Sequence, residues 1–269
     1  MKDNKALQAG TSHNLGQNFA RAFDVRYQTE DGEHTYVWST SWGVSTRLVG
    51  GLIMTHGDDE GLVLPPKLAP YEVVIVPIWR DDEQLGVVRD AANSVRADLE
   101  AAGIRVHVDD REGMNPGSKY YDWERRGVPL RLEIGPRDVS AESVMVVRRF
   151  TPEGTDRKTP MPMAGVGGRL RTVLDGIQDE LFGAAMERRD AATVRGLEDY
   201  AEFQSLIADQ GGFIYTGWCG EAECEKKVKD DTKATIRVIP DEEFRSAEVP
   251  TRCLCGAPSV CEVVRARAY

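Results

Sequence analysis

The segment from Thr40 to Pro70 carries the most information in this chain, and it reads TSWGVSTRLVGGLIMTHGDDEGLVLPPKLAP. Its single arginine, Arg47, stands among small residues in a run that turns apolar with helical spacing. A charge in apolar surroundings is costly unless it is paired, and a guanidinium is well suited to phosphate. The segment therefore predicts a mostly buried helix over 45–55 and a strand over 62–64, with Arg47 as a phosphate ligand. The alternative is an arginine that caps or bridges a buried helix.

The length and composition describe an ordinary globular chain. Its 269 residues allow two or three domains, and 41% of them are hydrophobic. No apolar stretch approaches the roughly 18 residues of a membrane span, and the first ten residues lack the apolar core of a signal peptide. The five cysteines all follow residue 218 and do not resemble a secreted disulfide framework. We therefore expect a cytoplasmic protein with no membrane partner.

The charge distribution excludes one class of function and permits another. A net charge of −10 argues against a protein that coats nucleic acid non-specifically, because phosphate binding needs a positive surface. The segment 111–149, however, contains eight basic and six acidic side chains. The basic residues are Arg111, Lys119, Arg125, Arg126, Arg131, Arg137, Arg148 and Arg149. Tyr120, Tyr121 and Trp123 are interleaved with them, a pattern that suits unpaired bases, although a solvated surface remains the alternative for any one arginine.

Strands and helices alternate after residue 70. Apolar and alternating runs predict strands over 72–78, 104–108, 130–134 and 144–147. Helical periodicity predicts helices over 84–102, 119–126 and 168–189. Strands separated by helices indicate a mainly parallel α/β sheet.

The cysteines form two close pairs that are far apart in the chain. Cys219 and Cys224 are separated by four residues. After 28 intervening residues come Cys253 and Cys255, which are separated by one. Two such pairs suit a tetrahedral Zn(S)4 site, since the metal joins two distant segments. The spacing differs from the common C-x2-C, so five reduced, unligated cysteines remain the alternative; Cys261 is the spare thiol in either case.

These segments together resemble a known family. The Thr40–Pro70 segment is similar to motif 3 of class II aminoacyl-tRNA synthetases, in the form found in prolyl-tRNA synthetases of the archaeal/eukaryotic-like type. The segment 117–138, GSKYYDWERRGVPLRLEIGPRD, looks like the anticodon-binding domain that prolyl, threonyl, histidyl and glycyl synthetases share. The cysteine spacings match the structural zinc site of the family's eukaryotic members. The resemblance covers nearly the whole chain.

The resemblance implies a fold in three parts. Residues 1–70 would be the end of a class II catalytic domain built on an antiparallel sheet. Residues 71–167 would form an α/β anticodon-binding domain with a mixed sheet. Residues 168–269 would hold a linking helix and a small α/β zinc-binding domain.

The resemblance also implies roles for individual residues. The segment 8–13, QAGTSH, and the motif 3 segment would bind the small substrates. The implied ATP ligands are Gln8, Thr11, Ser45 and Arg47, and the implied proline ligands are His13 and Trp42. Arg47 would be catalytic by offsetting phosphate charge as pyrophosphate leaves. The terminal Tyr269 would dock on the catalytic domain. The alternatives are a loop whose polar groups cap neighbouring elements, and for Trp42 an ordinary core aromatic.

The implied function is that of a proline–tRNA ligase. Such an enzyme activates proline with ATP and Mg2+, transfers it to tRNA for proline, and works as a homodimer. Motifs 1 and 2 have no counterpart in these 269 residues, so we expect the chain alone to be inactive, either as a truncated enzyme or as half of a split one. The alternatives are a non-catalytic anticodon-binding module with a structural zinc site, and a zinc-stabilised interaction protein unrelated to tRNA.

Overall fold

The computed structural model describes residues 1–152 and 154–269, beginning with a small N-terminal unit. Its elements are β1 (Thr11–Gly16), α1 (Asn18–Ala22), β2 (Arg26–Gln28), β3 (His34–Tyr36), β4 (Ser39–Gly43) and α2 (Arg47–His56). Two antiparallel ladders form, β1 with β4 and β2 with β3. The antiparallel pairing agrees with the expected end of an antiparallel-sheet domain.

Two expectations for this unit are wrong. Helix α2 forms, but it is not mostly buried: Gly51 is its one buried residue, and Val49 is 59% exposed. The predicted strand 62–64 does not form. Instead, the backbone N–H groups of Leu62 and Leu64 donate to the carbonyls of Arg125 and Gly127, so the segment bonds to the end of a helix rather than to a sheet.

The middle unit is built on a five-stranded mixed sheet. Its elements are β5 (Val73–Pro77), α3 (Asp82–Ala101), β6 (Val106–Val108), α4 (Pro116–Arg125), β7 (Leu130–Ile134), α5 (Pro136–Ser140), β8 (Ser143–Arg148) and β9 (Lys158–Pro162). The strand order is β6-β5-β7-β8-β9. β5 pairs in parallel with β6 and β7, whereas β8 pairs antiparallel with β7 and β9. The mainly parallel expectation fails after β7, because the short α5 connection cannot make a parallel crossover.

A continuous apolar core explains why these elements form. All five residues of β5 are buried, as expected for a central strand covered on both faces. Helix α3 buries Val88, Ala92, Val95 and Leu99 at helical spacing, and the carboxylate of Asp81 caps its first turn by accepting from the backbone N–H of Gln84 at 2.9 Å. The long helix α6 (Val166–Ala191) packs on the same core.

The C-terminal unit is a second small α/β layer. It contains β10 (Thr193–Leu197), α7 (Tyr200–Asp209), β11 (Phe213–Trp218), α8 (Ala222–Thr232), β12 (Ala234–Val238), a 3-10 turn (Glu242–Phe244) and β13 (Cys261–Arg267), with strand order β10-β11-β13-β12. Nowhere in residues 1–152 and 154–269 is a helix both long and apolar enough to cross a membrane. The mixed α/β architecture, with antiparallel and mixed sheets, is the predicted fold class.

A tight seam joins the N-terminal and middle units. The guanidinium of Arg149 ion-pairs with the carboxylate of Asp58 and donates from Nε to the carbonyl of Glu124 at 3.0 Å. Gly127 has φ +74° and lies so close to Leu62 that a Cβ there would fall 2.6 Å from its carbonyl carbon. The backbones can approach this closely only because glycine occupies the position.

Candidate functional site

The four cysteines of the two pairs meet at one end of the C-terminal sheet. Cys219 follows β11, and Gly220, with φ +84°, turns the chain into α8, which carries Cys224 in its first turn. Cys253 and Cys255 lie in a tight turn closed by the Gly256 N–H donating to the Cys253 carbonyl at 2.7 Å. All four sulfurs lie within 4.8 Å of one another.

The geometry of this cysteine cluster fits a tetrahedral metal. The Sγ atoms of Cys224 and Cys253 are 3.5 Å apart, and those of Cys219 and Cys255 are 3.8 Å apart. Four thiolates around zinc at the usual bond length of about 2.3 Å are separated by about 3.8 Å. The cluster could therefore hold Zn2+ with four protein ligands and no open position.

The protonation behaviour of these thiols follows from their surroundings. Burial raises the pKa of Cys224 and of Cys253, and the neighbouring thiols add to the effect at Cys224. The backbone N–H of Ala257 stabilises the thiolate of Cys255 and lowers its pKa. The thiols of Cys224 and Cys253 thus resist ionisation, and a bound cation would favour their thiolate forms, because metal binding displaces the thiol protons.

A second candidate site lies where the parallel strands β5 and β7 end. We call it the strand-end crevice: a 380 Å³ cavity whose lining includes Trp79, Arg80, Gln84, Arg137 and Asp138. Ligands of open α/β sheets bind at the carboxyl ends of parallel strands. The crevice therefore combines a favourable position with an aromatic ring and two guanidinium groups.

The 111–149 segment contributes less free positive charge than its composition indicates. Carboxylates within 4.0 Å pair with seven of its eight basic side chains: Arg111, Lys119, Arg125, Arg126, Arg131, Arg148 and Arg149. Among the described residues, Arg137 alone of the eight makes no ion pair. Because it also lines the strand-end crevice, Arg137 is the segment's best-placed cation for an anion.

The aromatic residues of the segment differ sharply in their availability to a base. Trp123 is only 5% exposed, and its indole N–H donates to Asp109 Oδ2 at 2.7 Å, so it is structural. Tyr120 is half-buried beneath the guanidinium of Arg131, and burial raises its pKa to about 12. Tyr121 remains exposed. Thus only one of the three aromatics is openly available for stacking.

A buried polar network adjoins Trp79, which lines the strand-end crevice. The fully buried Asp109 accepts from Arg111 Nε at 2.8 Å as well as from Trp123. Burial alone would raise the pKa of Asp109, but these donors outweigh it and lower the pKa to about 2. Lys119 is 2% exposed and donates to the carbonyl of Asp109 at 3.0 Å; burial lowers its pKa. Its Nζ lies 5.1 Å from the ring centre of Trp79.

The N-terminal site residues lie on or near the β1–β4 ladder. Gln8 Nε2 donates to Thr11 Oγ1 at 2.9 Å, so these two predicted ATP ligands are in contact. His13 is paired with Ser41, and Trp42 with Ser12. Since successive strand residues point to opposite faces, His13 and Trp42 lie on opposite faces of the ladder.

Arg47 and Trp42 are open to solvent. Trp42 is 75% exposed, so it is not a core aromatic of the part of the chain that the structure describes. Arg47 is the first residue of α2, is exposed, and forms no ion pair with any residue of 1–152 or 154–269. Its backbone N–H lies 3.4 Å from Ser45 Oγ. Within residues 1–152 and 154–269, Arg47 therefore does not stand in apolar surroundings, because the α2 face around it is uncovered.

The C-terminal residue lies against the N-terminal unit. The backbone N–H of Tyr269 donates to the carbonyl of Ala6 at 3.0 Å, and the N–H of Ala6 donates to Arg267 at 2.9 Å. Ala6 and Ala268 thereby form a parallel bridge. The chain end thus contacts the segment that precedes the predicted ATP ligands.

The sequence interpretation missed Trp79. It directly follows the buried strand 72–78, so its position at the carboxyl end of a strand was the available signal. The density of aromatic residues in 120–123 cannot distinguish a structural tryptophan from an accessible one.

Two family models match separate parts of the chain. Residues 72–171 match a family model described as "Anticodon binding domain", and residues 200–269 match one described as "Prolyl-tRNA synthetase, C-terminal". The proline–tRNA ligase of Salinibacter ruber is 49% identical over 269 residues, and that of Roseiflexus castenholzii is 46% identical over 270. Each match covers 100% of this chain and 54% or 55% of the relative, so the chain spans about half the length of the curated relatives it matches.

Solved structures agree with the sequence matches. Prolyl-tRNA synthetase from Cryptosporidium parvum, complexed with halofuginone and AMPPNP, has a TM-score of 0.87 and 34% identity, covering 99% of this chain and 55% of that one. The same protein complexed with L-proline and AMP has a TM-score of 0.85 and 35% identity, covering 99% and 56%. These matches confirm the predicted family: the chain belongs to the prolyl-tRNA synthetases and corresponds to their C-terminal portion.

Proposed function

We propose that this member of the prolyl-tRNA synthetase family serves proline–tRNA ligation, in which proline is activated with ATP and Mg2+ and then transferred to tRNA for proline. The observation that supports this best is the continuous similarity of all 269 residues to proline–tRNA ligases. The proposed division is the end of the catalytic domain at 1–70, the anticodon-binding domain at 71–167, and the linking helix with the zinc-binding domain at 168–269. The proposed compartment is the cytoplasm, and the proposed complete enzyme is a homodimer.

The small-substrate site would lie on the N-terminal unit. Gln8, Thr11, Ser45 and Arg47 would bind ATP, with Arg47 stabilising the charge that develops as pyrophosphate leaves. Removing one such stabilising group typically costs about 100-fold to 1000-fold in rate. In a complete enzyme that contains this segment, Arg47→Ala should therefore reduce proline-dependent ATP–pyrophosphate exchange by about that factor. An unchanged exchange rate would exclude the role.

His13 and Trp42 would bind proline. Because they lie on opposite faces of the β1–β4 ladder, a single pocket would have to reach both faces. Separate substitutions distinguish their roles: a proline ligand should raise the KM for proline, whereas a residue that only packs against other protein should lower stability and leave KM unchanged.

The cysteine cluster would hold a structural Zn2+. The ligands would be Cys219, Cys224, Cys253 and Cys255; the proposal is supported by their four sulfurs lying within 4.8 Å of one another, two pairs of them at 3.5 and 3.8 Å. Four protein ligands leave no position for a reacting water, so the ion would stabilise the fold around α8 and the 253–256 turn. Tyr269 would keep this unit docked on the segment around Ala6.

The anticodon-binding unit would read tRNA at the strand-end crevice. Arg137 would contact the RNA there, because it lacks an ion pair in the described residues and sits at the carboxyl ends of β5 and β7. The overall charge of −10 opposes tight binding of a polyanion. We therefore expect a micromolar Kd, about −8 kcal/mol.

A binding titration tests this assignment. The 269-residue chain should bind a proline anticodon stem-loop RNA more tightly than one with a changed anticodon, and both affinities should fall as salt rises. Arg137→Ala should weaken binding, whereas Arg189→Ala, an exposed arginine on α6 outside the crevice, should not. Equal affinity for both RNAs would show that the unit binds RNA without recognising the anticodon. No binding at low salt would exclude the assignment.

The second candidate is a non-catalytic anticodon-binding module with a structural zinc site. The exposure of Arg47, Trp42 and the α2 face favours it for the chain acting alone, because catalytic groups need a site that excludes water. A complete enzyme containing this segment that binds tRNA but shows no exchange activity would favour this candidate.

A further inference from the structure

A second cleft of the middle unit is not used by the proposed function. We call it the α3–β6 cleft: a cavity of about 510 Å³ between helix α3 and strand β6. Its polar and aromatic lining comprises Trp79, Arg89, Asn93, Arg96, His107 and Asp110. Its volume falls within the range of small-molecule sites, about 300–1,000 Å³. Trp79 lines both this cleft and the strand-end crevice, so the two cavities share one wall.

The helix side of the cleft presents a row of groups that bind anions. Arg89, Asn93 and Arg96 are spaced by four and three residues, so they lie on one face of α3. Arg96 is paired with Glu100, whereas Arg89 has no ion-pair partner in residues 1–152 and 154–269. Asp110 is the one acidic residue in the lining. Arg89 is therefore the unpaired guanidinium of the described cleft lining, and such a group favours an anionic ligand.

The strand side offers backbone groups. β6 is the edge of the sheet and, in the described chain, pairs only with β5. The outer edge of such a strand presents N–H and C=O groups that no neighbouring strand satisfies. Val106, His107 and Val108 line the cleft, so these groups are available to the polar edge of a base.

The shared wall has a fixed orientation. The ammonium group of Lys119 lies over the ring of Trp79, 5.1 Å from its centre, and is itself held by the carbonyl of Asp109 at 3.0 Å. One face of the indole is therefore occupied, and a ligand ring can stack only on the other face. Because Lys119 is almost fully buried, the tryptophan rests on a rigid support.

We propose that the α3–β6 cleft binds one unpaired nucleotide of an RNA loop, with its base stacked on Trp79 and its phosphate held by Arg89 and Arg96. Aromatic stacking and guanidinium contacts are the two interactions that proteins use for unpaired nucleotides. Trp79 borders the strand-end crevice, so this nucleotide would neighbour the bases bound there. The inference rests on the proposed function, because tRNA is the RNA that would supply the loop.

The test uses the 269-residue chain and a stem-loop RNA carrying 2-aminopurine at successive loop positions. On binding to the wild-type chain, emission should be quenched at one position beyond the anticodon triplet. Trp79→Ala should abolish that quenching and weaken binding about tenfold, within the range measured for one base stack. Trp79→Phe should retain most of the affinity, and Trp38→Ala, an exposed tryptophan of the N-terminal unit, should have no effect. Thermal unfolding of each variant checks that the fold is intact.

Arg89→Ala should weaken binding and reduce the slope of log affinity against log salt by about 1, the effect of one lost phosphate contact. Arg189→Ala should leave the slope unchanged. If Arg137→Ala weakens binding while Trp79→Ala and Arg89→Ala do not, the proposed function stands and the cleft assignment is overturned. Free AMP binding as tightly as the RNA would also overturn it, in favour of a mononucleotide site. No RNA binding by the wild-type chain would instead overturn the proposed function.

Discussion

Replacing Asp109 with asparagine tests the buried polar network beneath Trp79. The carboxylate is fully buried and bound by Arg111 and Trp123, and its pKa falls from 3.8 to about 2. At 1.36 kcal/mol per pKa unit, this shift corresponds to about 2 kcal/mol of stability at neutral pH. Removing the charge also leaves Lys119 buried without its carboxylate, and breaking a buried pair costs about 3–5 kcal/mol. Because both figures describe overlapping interactions of the same carboxylate, we expect a loss of about 2–5 kcal/mol in the free energy of unfolding.

The pH dependence gives a second signature. A carboxylate whose pKa is lowered by folding contributes stability above its unfolded pKa of about 4, and this contribution disappears as the pH falls towards about 2. The stability difference between the wild-type chain and Asp109→Asn should therefore be constant near neutral pH and shrink between about pH 4 and pH 2.

Denaturant unfolding followed by circular dichroism measures these quantities. Asp110→Asn is the matched control, because Asp110 is the exposed neighbour of Asp109 and its loss should cost less than about 0.5 kcal/mol. Adding Lys119→Met to Asp109→Asn should recover part of the loss by removing the unpaired charge. If Asp109→Asn matched Asp110→Asn in stability at pH 7, the network would contribute nothing and the reasoning would be refuted.

Three further outcomes are expected. Protein purified without chelator should contain one zinc per chain. Cys253→Ser should lower the zinc content, whereas Cys261→Ser should not. Zinc retained after the loss of Cys253 would contradict the assignment of the cysteine cluster as the zinc site. Gly127→Ala should destabilise the chain by about 3 kcal/mol, because position 127 has a positive φ and the added Cβ would lie 2.6 Å from the backbone of Leu62. Gly103 has a similar φ of +71° but open space around it, so Gly103→Ala should cost about 1 kcal/mol in the same unfolding assay. The 269-residue chain alone should show no proline-dependent ATP–pyrophosphate exchange, because its N-terminal unit leaves Arg47 open to water; a rate near 1 per second would contradict this.

Several features of the protein were predictable from local sequence. The alternating run Leu130–Ile134 predicted β7 to the residue, and helical periodicity located the buried face of α3. These predictions succeed because the repeat of apolar residues must match the repeat of the element that buries them. The paired cysteine spacings predicted a cluster for a similar reason, since each pair lies within a short segment that acts as one unit.

Only the tertiary structure decided which of these side chains are available. Arg47 is exposed because nothing in residues 1–152 and 154–269 covers its face of α2, although its neighbours in sequence are apolar. Trp123 is buried and donates a hydrogen bond to Asp109. Trp79, outside the aromatic-rich segment, lines both the α3–β6 cleft and the strand-end crevice. Seven of the eight basic residues in 111–149 are paired with carboxylates. Five of these carboxylates come from other elements or loops than a basic residue that they pair with: Asp58, Glu60, Asp109, Asp122 and Glu180. The sequence determined periodicity and residue type, but burial and pairing depend on which distant segments meet, and that is a property of the folded chain.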